Sequence, residues 1–408
     1  MPTATSSGST PATDATPVDA ATRGTAFHSR IDEVAAAEWN ALDQGGVPFL
    51  RHEFLAALER HGAATAATGW APAHVTLRAA GTLVGALPLY EKSHSWGEFV
   101  FDFSWAEAYR RYGARYYPKL VAATPFTPAT GPRFLVRPGV DAAPVRRALL
   151  AAARTRLPRC SSLHVQFTTR AESEWLAAEG LLGRIDCQFQ WQNAGYADFE
   201  AFLATFTADK RKKARRERRR VAEAGIRFGW VWGDELSAAE WQAVYALKSA
   251  TFHRHGHEPY LGLACLEELA RTPACRPLVL LATRSGAIVA CAIFFRGADT
   301  LYGRYWGAAG DYHSLHFEAC YYQGIDYCIR EGLARFEPGT QGEHKIARGF
   351  RPTLTYSAHH IDDPRFGAAI GRFLAEERAA VEAYAVETER HVPFRADARP
   401  LELPPERR

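Results

Sequence analysis

Near the C-terminal end of the chain, Gly339-Thr340-Gln341-Gly342-Glu343-His344-Lys345 sets a carboxylate, an imidazole and an amine side by side after a glycine-flanked turn. These are the groups needed when an amine attacks an activated carbonyl. The attacking amine must lose a proton, and a general base contributes about 10²–10⁴-fold to that step. The tetrahedral oxygen needs positive charge or N–H donors, each worth about 2.7–4 kcal/mol. In this pattern Lys345 can face the oxyanion or an anionic substrate, and Glu343 or His344 can accept the proton.

Other residues of the same character lie upstream. Leu301–Gly307 reads as a strand whose alternation puts Tyr302, Arg304 and Trp306 on one face. A turn, Gly307-Ala308-Ala309-Gly310-Asp311-Tyr312-His313-Ser314, then leads to His316, Glu318 and Tyr321, and the last two share a helical face. Much earlier, Asp102, Ser104 and Trp105 precede a stretch over 106–133 that carries Tyr116, Tyr117, Lys119, Phe126, Thr127 and Arg133. Pro118, Pro125, Pro128 and Pro132 stiffen it, and a long connection of that composition suits a pocket wall. All of these are candidate substrate-binding residues. His253, His255 and His257 alternate before Glu258, but on a helix end that spacing spreads side chains around the axis, so no metal is expected. The cysteines form no C-x-x-C and mostly sit in apolar runs, which reads as buried thiols.

The elements that position these residues occur twice. Ala36-Ala37-Glu38-Trp39 recurs as Ala238-Ala239-Glu240-Trp241, Pro48-Phe49-Leu50 as Pro259-Tyr260-Leu261, and Gly81–Ala86 as Gly286–Cys291. Three blocks in one order, roughly 200 residues apart, mean two copies of a domain. Each copy starts with a strand (Phe27–Ile31; Ile226–Trp232) and a helix carrying the Trp (Glu33–Leu42, capped by Asp32; Ser237–Phe252, capped by Ser237). A short helix, a hairpin turning at Gly81 or Ser285-Gly286, and a third strand (Glu98–Phe103; Leu301–Gly307) follow. A long helix (Ala143–Leu157; Leu315–Gly332), a strand (Leu163–Phe167; Ala334–Pro338), a short helix and a final strand (Arg184–Trp191; Pro352–His360) complete it. This is an α/β (α+β) arrangement with mixed, mainly antiparallel sheets covered by helices. The lysine is not repeated: with Gly180 set on Gly349, Leu176 stands opposite Lys345.

Four stretches, Phe101-Asp102-Phe103-Ser104-Trp105, Tyr116-Tyr117-Pro118-Lys119-Leu120, Pro125-Phe126-Thr127-Pro128 and Gln341–Phe350, resemble the FemAB-like bacterial family, and the element order resembles the GNAT acyltransferase fold. The resemblance covers about 26–395. It implies two tandem GNAT-like domains, with acceptor recognition in 26–195 and the reaction centre, at Lys345, in 225–395. It implies a cytoplasmic N-acyltransferase with an amine acceptor and either acyl-CoA or aminoacyl-tRNA as donor. The turn at 307–314 departs from the Q/R-x-x-G-x-G/A spacing of the fold's coenzyme A binders and brings Asp311, which fits relatives whose donor is aminoacyl-tRNA. The alternative is a non-catalytic binding protein of the same fold that recognises an anionic cell-wall fragment or nucleic acid.

Composition bounds these readings. With 408 residues, 47% hydrophobic and 23% charged, the chain is an ordinary globular protein of two domains. It has no apolar run long enough for a transmembrane helix. The formal charge is +4, and 209–220 holds nine basic against two acidic residues, so the rest of the chain is slightly acidic. Phe199, Phe202, Leu203 and Phe206 form an apolar stripe and Gly225 a helix stop, so 196–224 reads as a linker helix that docks at its start and then presents cations. Through 210–220 it can meet tRNA or another phosphate, an anionic membrane surface, or solvent alone. Residues 1–25 read as a disordered lead without signal-peptide features, and 396–408 as a tail.

Overall fold

The computed structural model describes residues 24–340 and 342–398, so most of the expected lead and tail lie outside the described residues. The first half holds β1 (Thr25–His28), β2 (Trp70–Pro72), β3 (His74–Ala79), β4 (Thr82–Leu87), β5 (Leu89–Lys92), β6 (Lys119–Ala122), β7 (Leu135–Val136), β8 (Ser162–Thr168) and β9 (Leu182–Gln192). The second holds β10 (Arg227–Trp232), β11 (Pro277–Arg284), β12 (Ala287–Arg296), β13 (Thr300–Ala308), β14 (Arg335–Glu337) and β15 (Arg351–Ile361). Among the described residues they form a four-stranded sheet, β1-β3-β4-β7, and an eleven-stranded sheet, β10-β11-β12-β13-β14-β9-β15-β8-β6-β5-β2.

Both repeats turn their hairpin through two left-handed residues, Ala80-Gly81 (φ 49° and 81°) and Ser285-Gly286 (φ 50° and 83°), the geometry that matches strand twist. Trp39 and Trp241 of the repeated block are buried, each giving its indole N–H to a backbone carbonyl, of Leu50 and Gly233. Ser237 caps its helix as expected, in a reciprocal box with Glu240. Asp32 does not cap. Its carboxylate takes the Arg60 guanidinium instead, and the helix Ala36–Asn40 starts uncapped after a 3₁₀ turn at Ile31–Glu33. The expected strand Glu98–Phe103 is also absent. Phe99 sits at φ 61°, a helix runs over Phe103–Arg111, and the third strand of the first half is β6, parallel to β8. The segment instead serves a buried ion cluster: Glu98 and Asp102 turn inward to Lys119 while Phe101 and Phe103 stay exposed.

The halves exchange strands. β9 leaves the first half to pair with β14, and β15 leaves the second to pair with β8, with β9 and β15 side by side between them. They also share a core: Phe49 lies 5.2 Å from Phe295 and 5.1 Å from Tyr302, edge to face. The expected basic linker is two helices, Phe199–Ala204 and Ala208–Glu223. The Phe199, Phe202, Leu203 and Phe206 stripe is buried, and Gly225 adopts φ 75° at the stop.

Gly307 on β13 touches the helix Ala238–Arg254 so closely that a Cβ would lie 2.2 Å from the Leu247 carbonyl carbon. Gly307→Ala should therefore cost about 1–3 kcal/mol in thermal unfolding, because backbone cannot yield as a side-chain end can. An unchanged melting temperature would mean that this helix is free to move off the sheet.

Candidate functional site

β13 keeps its antiparallel partner β12 to its end at Ala308, but its parallel pairing with β14 stops at Tyr302 and Glu337. The chain beyond β14 enters Pro338-Gly339, and proline has no N–H with which to continue a ladder. The two strands therefore splay. The opening is a cavity of about 330 Å³ with Gly303, Arg304, Tyr305 and Trp306 on one side and Pro338, Gly339, Thr340, His344 and Lys345 on the other. Beyond Tyr302 the edge of β13 that faces it has no strand partner among the described residues.

A bulge re-aims the side chains of β13. Tyr305 stands opposite Ile293 and Gly303 opposite Phe294, which leaves Arg304 as the extra residue. The alternation reverses there. Tyr302, expected to share a face with Arg304 and Trp306, is instead buried against Phe49 and Phe295, and Tyr305 joins Arg304 and Trp306 on the cleft wall.

Lys345 sits on a 3₁₀ turn, Glu343–Arg348, at 1% exposure. Its Nζ donates to Gly339 O at 2.6 Å and has no carboxylate partner among the described residues. Burial with no counter-ion pulls its pKa down to about 7. His344 Nε2 is 2.8 Å from Tyr321 Oη. Burial and the nearby Lys345 and Arg348 hold His344 below the usual imidazole range. His316 joins the same wall 5.9 Å from His344 and 5.4 Å from Trp306, with burial taking its pKa to about 4. Glu343 faces elsewhere and accepts from Tyr384 Oη at 2.7 Å. Glu318 and Tyr321 do not share a face, because a turn of π-helix over Glu318–Tyr322 rotates them apart. Glu318 binds Arg218 and Gln323, and Tyr321 reaches His344.

A second cavity, about 660 Å³, adjoins the first between the halves and shares Phe99, Arg304, Tyr305, Trp306 and His316 with it. Trp96, Phe101, Phe103, Phe126 and Tyr260 make it aromatic, and His255 and His257 stand at its edge. Phe126 stacks on Tyr260 at 4.6 Å and accepts from Arg304 through its carbonyl.

The remaining first-half candidates line neither cavity, although Lys119 and Tyr117 bond to Ser95, which lines the second. Lys119 is buried between Glu98 and Asp102 and also donates to Ser95 Oγ at 2.9 Å. Tyr116 donates to Asp102, Tyr117 Oη lies 2.8 Å from Ser95 Oγ, and Trp105 packs against His164 and His359. Thr127 Oγ1 binds the Pro125 carbonyl. Arg133 is fully buried and donates to the carbonyls of Ala129, Gly131 and Gln166, filling the end of the β6–β8 pair, where the second half has its opening. Ser104 is exposed on its helix.

Sequence reading missed Tyr260, Tyr305, Phe99 and Trp96. Tyr260 had a signal: its counterpart in the repeat is Phe49, so one copy added a hydroxyl where the other stayed fully buried.

The profile of a FemAB-like family, described as peptidoglycan biosynthesis/recognition, matches residues 30–396. The chain belongs to that family. A search of curated proteins finds no match. Among solved structures, FemX is similar at 11% identity and a TM-score of 0.47, over 76% of this chain and 92% of that one. L-PGS from Bacillus licheniformis is similar at 13% identity and 0.47, over 78% and 95%. A tandem GNAT protein from the clavulanic acid biosynthesis pathway is similar at 14% identity and 0.44, over 83% and 98%. This FemAB-like chain has a mixed α/β fold, with antiparallel and parallel strand pairs in its two sheets. No helix among its described residues is long and apolar enough to cross a membrane, and no cluster of three or more His, Cys, Asp or Glu there could hold a metal.

Proposed function

We propose that the β13–β14 opening transfers an acyl or aminoacyl group from an activated donor to an amine. The observation that carries this reading is Lys345, buried without a counter-ion among the described residues at the wall of a cleft beside an open strand edge. The amine nitrogen attacks the donor carbonyl carbon, and a C–N bond forms as the oxygen becomes an oxyanion. The N–H groups on the open edge of β13 face that oxygen. Lys345 Nζ, neutral above about pH 7, takes the proton the amine loses. The C–S or C–O bond to the carrier then breaks, and the carrier leaves with a proton. His344, already engaged with Tyr321, and Glu343, engaged with Tyr384, are less available as bases. The aromatic cavity between the halves supplies the acceptor side.

The donor is acyl-CoA or aminoacyl-tRNA. The test is consumption of a panel of acyl-CoAs, read as free thiol, and of charged tRNA, read as released amino acid, with and without an amine panel. One donor class should turn over only when amine is present, with a rate that rises with pH through about 7. Consumption of neither donor overturns the proposal and favours a binding protein on the same fold.

A further inference from the structure

The cations of the helix Ala208–Glu223 are not used alike. Arg211 donates to the carbonyls of Ala204 and Phe206, Arg215 pairs with Glu200, Arg218 with Glu318 and Arg219 with Glu223. Lys213 and Arg216, one turn apart, have no carboxylate partner among the described residues, and with Arg220 they line a cavity of about 410 Å³. Its far wall brings His313, His344 and Arg348. The lining holds one carboxylate, Glu217, and that is buried between Arg348 Nη2 and Tyr322 Oη, each at 2.8 Å. Arg348 is itself 3% exposed, lies 3.4 Å over the Phe317 ring, and has an Nε without a hydrogen-bond partner. The cavity therefore carries three cations beyond its one ion pair.

Its position gives this charge a use. His344 borders both this cavity and the Lys345 cleft. The cavity beside the loop after β13 sets Asp311 against a single arginine, Arg254, and so offers no comparable excess of cations.

We propose that the cavity of Lys213, Arg216, Arg220 and Arg348 binds nucleotide phosphates of the donor's carrier, whose acyl end passes His344 to reach Lys345. This rests on the transfer reading above. The full chain should be titrated with coenzyme A, with uncharged tRNA and with phosphatidylglycerol vesicles. Two double variants are compared: K213Q/R216Q inside the cavity, and K210Q/K212Q, which removes the same charge from the same helix outside it. Coenzyme A or tRNA should bind, and K213Q/R216Q should weaken it at least about tenfold while K210Q/K212Q changes it less than about twofold. With tRNA, losing two contacts should also flatten the slope of log K against log salt by about 1.4. The probe that binds names the carrier. Binding to neither nucleotide probe, binding to vesicles alone, or equal loss in both variants overturns the proposal. Lys345-dependent turnover that survives K213Q/R216Q unchanged would leave the transfer reading standing and remove this site. Cavity-dependent binding without turnover would do the reverse.

Discussion

Lys345→Met is expected to lower kcat at pH 7 by about 10²–10⁴-fold, the usual contribution of a general base, and to raise the melting temperature in the same experiment. The second effect follows from burial. The folded-state pKa is about 7 against an ordinary 10.5. Between those values the unfolded chain holds the proton and the folded chain does not, so the contribution of this group to stability rises with pH across that window. Below it the folded state carries a buried, unpaired ammonium at a cost on the order of a few kcal/mol. Methionine removes that cost, less about 1 kcal/mol for the Gly339 carbonyl left without its donor, and the gain should appear as a few degrees. It should shrink as pH approaches 10.5. Lys92 and Lys248, held at about 7 and about 8 by burial, keep their own part of the rise in the variant. Lys345→Arg separates the two roles open to this side chain: it restores a cation but no base, so recovered turnover would make Lys345 an electrostatic group and sink the base assignment. A lysine retained for packing alone would lose no rate in either variant.

Lys119→Met should behave in the opposite way. Here the ammonium neutralises two buried carboxylates, Glu98 and Asp102, and removing one side of such a cluster costs about 3–5 kcal/mol. A fall of roughly ten degrees in melting temperature is expected. Turnover per folded molecule should be unchanged, because neither cavity includes Lys119. The deficit should depend on pH with a definite sign. Without its cation each buried carboxylate has a raised pKa, the folded state binds more protons than the unfolded, and the loss is largest at neutral pH and smaller as pH falls toward 4. Retained stability with lost turnover would return Lys119 to the functional site.

These two lysines show how much the sequence disclosed. The duplication was legible because the Trp39 and Trp241 blocks are core segments, and buried positions tolerate few residue types. The Ser-Gly hairpin was legible because a left-handed turn narrows the choice of residues. Lys345 stood out because the repeat places Leu176 opposite it. What could not be read was sign and parity. Nothing local distinguishes a lysine that meets two carboxylates from one that meets none, since Glu98 and Asp102 reach Lys119 across a fold-back of the chain. One extra residue at Arg304 moved Tyr302 into the core and Tyr305 into the cleft, and a single π turn separated Glu318 from Tyr321. Alternation and helical spacing assume regular backbone, and both irregularities fall beside the site, where a bulge or a π turn re-aims side chains.

The traded strands bear on how the protein is made. A nascent chain that has emerged as far as Gln192 can form most of the first half, yet β8 and β9 have no common neighbour until residues 351–361 follow them. Three strand edges, one of β8 and both of β9, stay open through synthesis of most of the second half, the condition under which partly made chains associate with one another. β15 closes both halves at once, so their joint assembly waits until residues 351–361 have emerged.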